Sequence, residues 1–284
     1  MPRPSTIALG ATAALGGALL FARDTRQRRL AERLAAASLE ALLKAIDAND
    51  PVTGAHVRRV ARYALILGRG ARLDERTCRS IERVALFHDI GKIDEALFDV
   101  IHDDSDITPE ERGLIATHPQ RGAEVLAPVA EFYPELCDGV LSHHERWDGA
   151  GYPRQLRGRR IPLQARIVAI ADTFDAVHHR RRYSPGRSID DALHAVARGR
   201  GTQFDPTLVD LFLRRDVVAR VRRAARFRED PSRTPQSERR RGKADARPPD
   251  VTFRWRTGPS EPPARDPAPR TRPGSSRRPP PQPP

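Results

Sequence analysis

From His143 to Pro153 the chain reads HHERWDGAGYP: two adjacent histidines, a glutamate, an aspartate and a glycine-rich turn ending in Tyr152-Pro153. Imidazoles and carboxylates offer lone pairs to metal ions and protons, so this density of them marks a candidate site. On a helix successive side chains point roughly 100° apart, which would send His143 and His144 to two different ligands or two metal ions. The same pair would also serve as a helix cap, with Asp148 to Pro153 as a simple turn. His56, His88 and His118 also stand in contexts that look like ligand positions. Asp89 follows His88 directly, and Asp172 lies beside the apolar face of IVAIADTFDA, where a buried carboxylate needs a cation or several hydrogen-bond donors. Imidazoles and carboxylates without thiolates suit iron, manganese or another divalent transition ion rather than a structural cysteine-bound zinc. A carboxylate such as Asp89 can bridge two ions. Capping or core packing accounts equally for each histidine taken singly, and spacing alone does not choose.

Composition narrows the setting. Only 38% of the 284 residues are hydrophobic, low for a wholly folded chain. The deficit is concentrated in residues 231–284, where 15 prolines and 13 Lys/Arg accompany five Asp/Glu. Such a segment buries too little apolar surface to offset its ordering entropy, and is expected to be disordered. It carries eight of the thirteen net positive charges, so the basic balance is no argument for a specific nucleic-acid-binding fold. Cys78 and Cys137 lack CxxC spacing and fall on helix-like stretches, which argues against a disulfide framework and against cysteine metal ligation and fits a reducing compartment. Lysine occurs only at positions 44, 92 and 243 beside 47 arginines, so a lysine inside a motif, Lys92 in HDIGKI, stands out.

The elements that must position these residues read as helices. Thr6 to Ala22 is an uninterrupted run of apolar, small and threonine residues followed by Arg23, Arg26, Arg28 and Arg29. It reads as a membrane anchor (residues 1–26 with its basic flank), placing a single-pass protein in the cytoplasmic membrane with the rest of the chain cytoplasmic. Seventeen helical residues rise roughly 25 Å against a hydrocarbon core of ~30 Å, and a cleaved signal peptide is the rival reading. Leu30, Leu34, Leu42, Leu43 and Ile46 recur at helical spacing, predicting a linker helix over 27–49 that packs on the domain or pairs with a second copy. Further helices are predicted at 56–69, 75–87, from Pro109 behind the capping-box sequence TPEE, at 122–127, 134–144 and 163–179, and from Ser188, with Asp191 three positions on. No alternating strand appears, giving an all-α domain over residues 38–226.

His56, the His88-Asp89 doublet and Asp172 resemble the H…HD…D signature of HD-superfamily phosphohydrolases. With TGAH from Thr53, HDIGKI from His88, HPQRGAEVL from His118, HHERWDGAGYP, ADTFDA from Ala171 and GTQFDP from Gly201, the chain resembles the HD-GYP family of cyclic di-GMP phosphodiesterases over about residues 40–215. The resemblance implies a helical HD-domain bundle in which His56, His88, Asp89 and Asp172 hold one metal. Asp89 bridges to a second held by His118, His143 and His144, the two ions being iron or manganese. Some members carry a glutamate for a third metal four residues before the first histidine, where this chain has Val52, so a dinuclear site is expected. Lys92 matches a lysine that contacts the substrate phosphate.

After Asp175, where relatives typically read DALTS-x-RPYR, this chain reads DAVHHRRRYS. Arg181 and Tyr183 match, whereas the last cation of the pattern is replaced by Ser184. The implied activity opens cyclic di-GMP to linear pGpG, and onward to GMP, with Asp89 and Lys92 in catalytic roles and Lys92, Arg181 and Tyr152 binding substrate. Tyr152 would stack on a base or dock a partner, such as a diguanylate cyclase or another signalling protein. The rivals are an HD phosphohydrolase for another nucleotide, a catalytically weak receptor, and a structural helical scaffold.

Overall fold

The computed structural model describes residues 4–93, 108–179 and 186–226 of the chain. The tail beyond residue 226, and Arg181, Tyr183 and Ser184 with it, lie outside the described residues. Ten α-helices are present among those residues: α1 (Pro4–Asn49), α2 (Pro51–Gly70), α3 (Glu75–Phe87), α4 (Pro109–Ile115), α5 (His118–Leu126), α6 (Pro134–Leu141), α7 (Leu163–His178), α8 (Ile189–Arg198), α9 (Pro206–Phe212) and α10 (Arg215–Arg226). The described residues hold no strand, only one bridge between Arg200 and Phe204.

α2 is the central element, packed against α1, α3, α7 and α10. Its buried Val57, Val60, Ala61, Ala64 and Leu67 follow helical spacing and meet Ile81, Val84 and Ala85 of α3 and Ile167, Ile170, Ala171 and Phe174 of α7 in one core. Tyr63 and Phe174 meet edge to face at 4.9 Å, and Phe174 continues to Phe212 at 5.7 Å. α2 begins five residues earlier than its predicted start, because Asp50 accepts the Val52 amide hydrogen at 2.9 Å and Pro51 occupies the first turn. The predicted capping box at Thr108 and Glu111 is formed, with amide-to-side-chain bonds of 2.7 and 3.2 Å. The Ser188–Asp191 pair does the same for α8.

Two expectations are corrected at the N-terminal end. Among the described residues no helix is long and apolar enough to cross a membrane, so the single-pass anchor and the membrane localisation are not supported. The physical reason is the one the composition already carried: the run is short of the hydrocarbon thickness, and alanine and glycine contribute little transfer energy. The run is instead the first part of α1, which continues without interruption through the arginines into the linker segment. The leucine stripe also divides. Leu39, Leu43 and Ile46 are buried and Leu42 is partly buried against the core, whereas Leu30 and Leu34 are exposed.

Candidate metal centre

The site lies where α2, α3, α5 and α7 meet the turn after α6. One group of side chains is His56, His88 and Asp172, and a second is His118, His143 and His144; within each, the ligand-type atoms all lie within 4.8 Å of one another. Asp89 stands between them. Its Oδ2 is 3.8 Å from His56 Nε2 and 3.5 Å from His88 Nε2, while its Oδ1 is 3.4 Å from His118 Nε2 and 3.9 Å from His143 Nε2. One carboxylate thus turns one oxygen to each group.

The structure differs from the simple helical reading of the His143-His144 doublet. α6 stops at Leu141 with Ser142 as its C-cap, so the two histidines follow a helix end rather than ride on a helix. Both side chains therefore turn to the same group, with His118.

Local backbone chemistry aims the imidazoles. The last carbonyls of a helix have no intrahelical partner, and three histidines use them: Nδ1–H of His88 donates to Ala85 O at 2.7 Å, that of His118 to Ile115 O at 2.6 Å, and that of His143 to Val140 O at 2.6 Å. Each bond fixes the tautomer and leaves Nε2 as a bare lone pair facing the site. Gly91 is required beside them, since a β-carbon there would strike the His118 carbonyl and the Gly122 nitrogen.

The turn after His144 is held by charge rather than by apolar packing. Buried Glu145 accepts hydrogen bonds from the Arg154 and Leu156 amides at 2.7 and 2.9 Å. Asp148 accepts from Ala150 N and from Arg146, so it serves the turn and not the metal centre. Gly151 is needed because a β-carbon would collide with His144 O and Arg146 N. The GTQFDP motif braces the same turn from outside: Trp147 N donates to Gln203 O at 3.1 Å and Asp148 N to Thr202 O at 2.9 Å. Tyr152 lays its ring on His144, centroids 5.0 Å apart and 23° between planes. Burial and the nearby Asp89 and Asp172 push its hydroxyl up to about 12, so it is a neutral phenol at physiological pH.

Electrostatics favours cations here. Burial lowers the imidazoles of His118 and His143 to about 3 and of His144 to about 2, and lowers His88 as well, so these histidines are neutral at pH 7. Burial opposes the charge of Asp89, but Lys92, with Nζ 2.8 Å away, and the neighbouring histidines outweigh it and hold the carboxyl well below its usual range. The donor set fits a metal on this structure's own terms. His118 Nε2 and His143 Nε2 face each other at 3.1 Å with both Nδ1 hydrogens committed elsewhere. Two opposed lone pairs repel unless a cation accepts both. His88 Nε2 is buried without a hydrogen-bond partner, which a metal would likewise satisfy.

Sequence reasoning missed Asp175, Arg59 and His179. Asp175 Oδ2 accepts from His56 Nδ1 at 2.7 Å, Arg59 donates to it from Nε and Nη2 at 2.8 and 3.0 Å, and His179 Nδ1 lies 3.0 Å from its other oxygen. The signal was present in helical spacing: Asp175 is three residues after Asp172, and Arg59 three after His56. Val52, at the position considered for a third ligand, is 68% exposed.

An all-helical bundle that gathers five histidines and two aspartates into adjoining groups defines a class: helical proteins with a paired His/Asp metal-binding centre. The chain belongs to the HD domain family, whose model matches residues 40–208. It is 38% identical over 179 residues to the cyclic di-GMP phosphodiesterase response regulator RpfG of Xanthomonas campestris, covering 62% of this chain and 47% of that protein. It is 33% identical over 231 residues to a cyclic di-GMP phosphodiesterase of Vibrio cholerae (75% and 46% covered). A 3'3'-cGAMP-specific phosphodiesterase 2 of the same organism is 34% identical over 174 residues (61% and 33%). The chain therefore spans at most about half the length of these relatives.

Proposed function

We propose that the chain is a cyclic di-GMP phosphodiesterase that hydrolyses the cyclic dinucleotide to linear pGpG and onward to GMP at a dinuclear centre. The observation that carries this reading is the shared Asp89, with one oxygen toward each group of ligand-type side chains. Similarity to relatives named cyclic di-GMP phosphodiesterases supports the substrate.

His56, His88 and Asp172 would hold one ion and His118, His143 and His144 the other, iron or manganese on donor chemistry, with Asp89 between them. Such a pair supplies Lewis acidity toward phosphate oxygens and a nucleophilic water at neutral pH. Lys92, beside Asp89, takes a non-bridging phosphate oxygen as a compact ammonium donor. One water adds across the phosphodiester: its oxygen bonds to phosphorus in line as the bond to the 3′ oxygen breaks, and the proton it sheds ends on that 3′ oxygen, with the Lys92 ammonium placed to give a proton there and recover the one the water loses. The neutral Tyr152 ring forms a wall on which a guanine base stacks, and Arg181 is assigned to a second phosphate contact. Exposed Ala150 and Pro153 offer the turn to a signalling partner such as a diguanylate cyclase, and exposed Leu30 and Leu34 on α1 offer a face to a second copy.

The full chain, stripped of metal and reloaded with Mn(II) or Fe(II), is expected to convert cyclic di-GMP to pGpG with two ions bound. Chromatography of the products and metal analysis check this. A folded, metal-loaded chain that binds cyclic di-GMP without turnover would make it a receptor, and three tightly bound ions would contradict the dinuclear assignment. A second reading, hydrolysis of a different cyclic dinucleotide, is favoured by the comparable identity to the 3'3'-cGAMP-specific relative. Faster turnover of that substrate in the same assay would establish it.

A further inference from the structure

Resting on the dinuclear reading, we infer that Asp175 is the positioning residue for His56. Held from behind by Arg59, with His179 alongside, it grips the imidazole Nδ1 and aims Nε2 at the ion-binding group of His56, His88 and Asp172.

The geometry is a double register between two packed helices. On α2, His56 and Arg59 are three residues apart; on α7, Asp172 and Asp175 are three apart, so each pair lies on one helix face. His56 is consequently sandwiched between the two aspartates. Its Nε2 lies 3.3 Å from Asp172 Oδ1, and its Nδ1 lies 2.7 Å from Asp175 Oδ2. Asp175 is 1% exposed and engaged at both oxygens: Oδ1 meets Arg59 Nε and His179 Nδ1, and Oδ2 meets His56 Nδ1 and Arg59 Nη2. Burial works against its charge, but His179 at 3.0 Å and the hydrogen bonds from His56 and Arg59 outweigh that and hold it ionised.

This arrangement sets His56 apart from the other ligand histidines. His88, His118 and His143 lean on neutral backbone carbonyls, whereas His56 leans on a carboxylate. An anion on Nδ1–H raises the basicity of the opposite nitrogen and restrains the ring, and outer partners of this kind are typically worth ~10–100-fold in metal affinity. Asp175 touches neither the ions' positions nor substrate directly; it acts through His56. The side chain of Arg59 keeps the carboxylate from being an isolated buried charge, and so lets an anion sit behind a ligand in the core.

The test is a titration of the metal-free full chain with Mn(II), read by the electron paramagnetic resonance of free Mn(II), for wild type, Asp175→Asn and Asp175→Ala. Asparagine keeps a hydrogen-bond acceptor without the charge, and alanine removes both. Wild type is expected to show two sites. Asp175→Asn should weaken one of them by ~10-fold and leave the other within about twofold, with a larger one-site loss in Asp175→Ala. His179→Ser should weaken the same site by less. If Asp175→Ala fails to fold, the near-isosteric asparagine variant carries the comparison, with circular dichroism verifying its helix content. Unchanged binding at both sites, or equal weakening of both, would overturn the inference while leaving the dinuclear centre standing. No Mn(II) binding by folded wild type would instead overturn the metal-centre reading on which it rests.

Discussion

The two halves of the centre are built by different means. His56, His88 and Asp172 stand on α2, on the end of α3 and on α7, the elements that share the apolar core, and their positions follow from helix packing. His118, His143 and His144 stand at the start of a nine-residue helix and in the turn after α6, and are held by Glu145, by close approaches at Gly91 and Gly151, and by the Gln203 and Thr202 carbonyls. The first half is anionic, with Asp172 among its ligands and Asp175 behind one of them. The second is three neutral imidazoles with no carboxylate among them, facing Asp89 and, at His144, Asp172. A rigid, anionic half and a braced, neutral half should respond differently to the same insult.

Removing what they share gives the largest effect. Asp89→Ala deletes the one carboxylate facing both groups, and is expected to release both ions and cost roughly a thousandfold in turnover, about 4 kcal/mol of transition-state stabilisation. His118→Ala, by contrast, should strip one ion and leave the His56, His88 and Asp172 half loaded. Metal analysis of the two purified variants beside wild type checks both statements. An Asp89→Ala protein that kept two ions would remove the basis for treating the halves as one centre.

Acid should then weigh more on the second half of the metal-free protein, where three imidazoles are lowered by burial, than on the first, where His88 is. His118 and His143 are held near 3 and His144 near 2, below their ordinary 6.5, so the unfolded chain binds protons that the folded chain does not. The stability they contribute is fully present above pH 6.5 and is lost as pH falls from there toward about 3. Each proton of difference between the states is worth about 1.4 kcal/mol per pH unit within that window. The depressed Asp89 carboxyl adds to the loss only lower down, below its ordinary 3.8. Thermal midpoints of the metal-free chain should therefore fall steeply from pH 6.5 to 4.5, and His118→Asn should flatten the slope by about one proton. A midpoint insensitive to pH in that range would mean that the second half is open to water without its ions.

Much of this contrast was legible in the residues, and the part that was not has a physical reason. The α2, α3 and α7 faces could be read because their apolar residues repeat with the helical period, which places His56 and Asp172 on core-facing helices. The doublet His143-His144 was misread as helical because nothing in PELCDGVLSHH marks the stop: the helix ends at Leu141 when Ser142 adopts a non-helical conformation, and no glycine or proline announces it. A capping bond and a place facing the site are not rivals, since His143 Nδ1–H satisfies the Val140 carbonyl while Nε2 faces the candidate centre. Asp175 escaped because its role depends on α7 meeting α2, a tertiary fact that local spacing suggests only in retrospect. The GTQFDP motif marked the family, but its work as a brace for Trp147 and Asp148 spans more than fifty residues of sequence and needed the fold.

The smallest expected effect tests whether the second half extends to the base of the substrate. Tyr152 rests its ring on His144 while its hydroxyl, pushed up to about 12, carries no charge at working pH. If the ring is the wall of the base site, Tyr152→Phe should keep both the stack and the wall, leaving kcat and KM for cyclic di-GMP within about twofold, since an aromatic pair is worth only ~0.5–1.5 kcal/mol and the phenol adds little to it. Tyr152→Ala removes the wall and should raise KM severalfold by the same measure, with kcat falling less, because the loss is of ground-state and transition-state contact alike. Mn(II) affinity separates the two jobs of the ring. A Tyr152→Ala protein whose KM rises at saturating metal has lost a substrate contact, whereas one whose turnover is restored by added metal has lost only the support of His144, and the tyrosine would then belong to the brace of the neutral half.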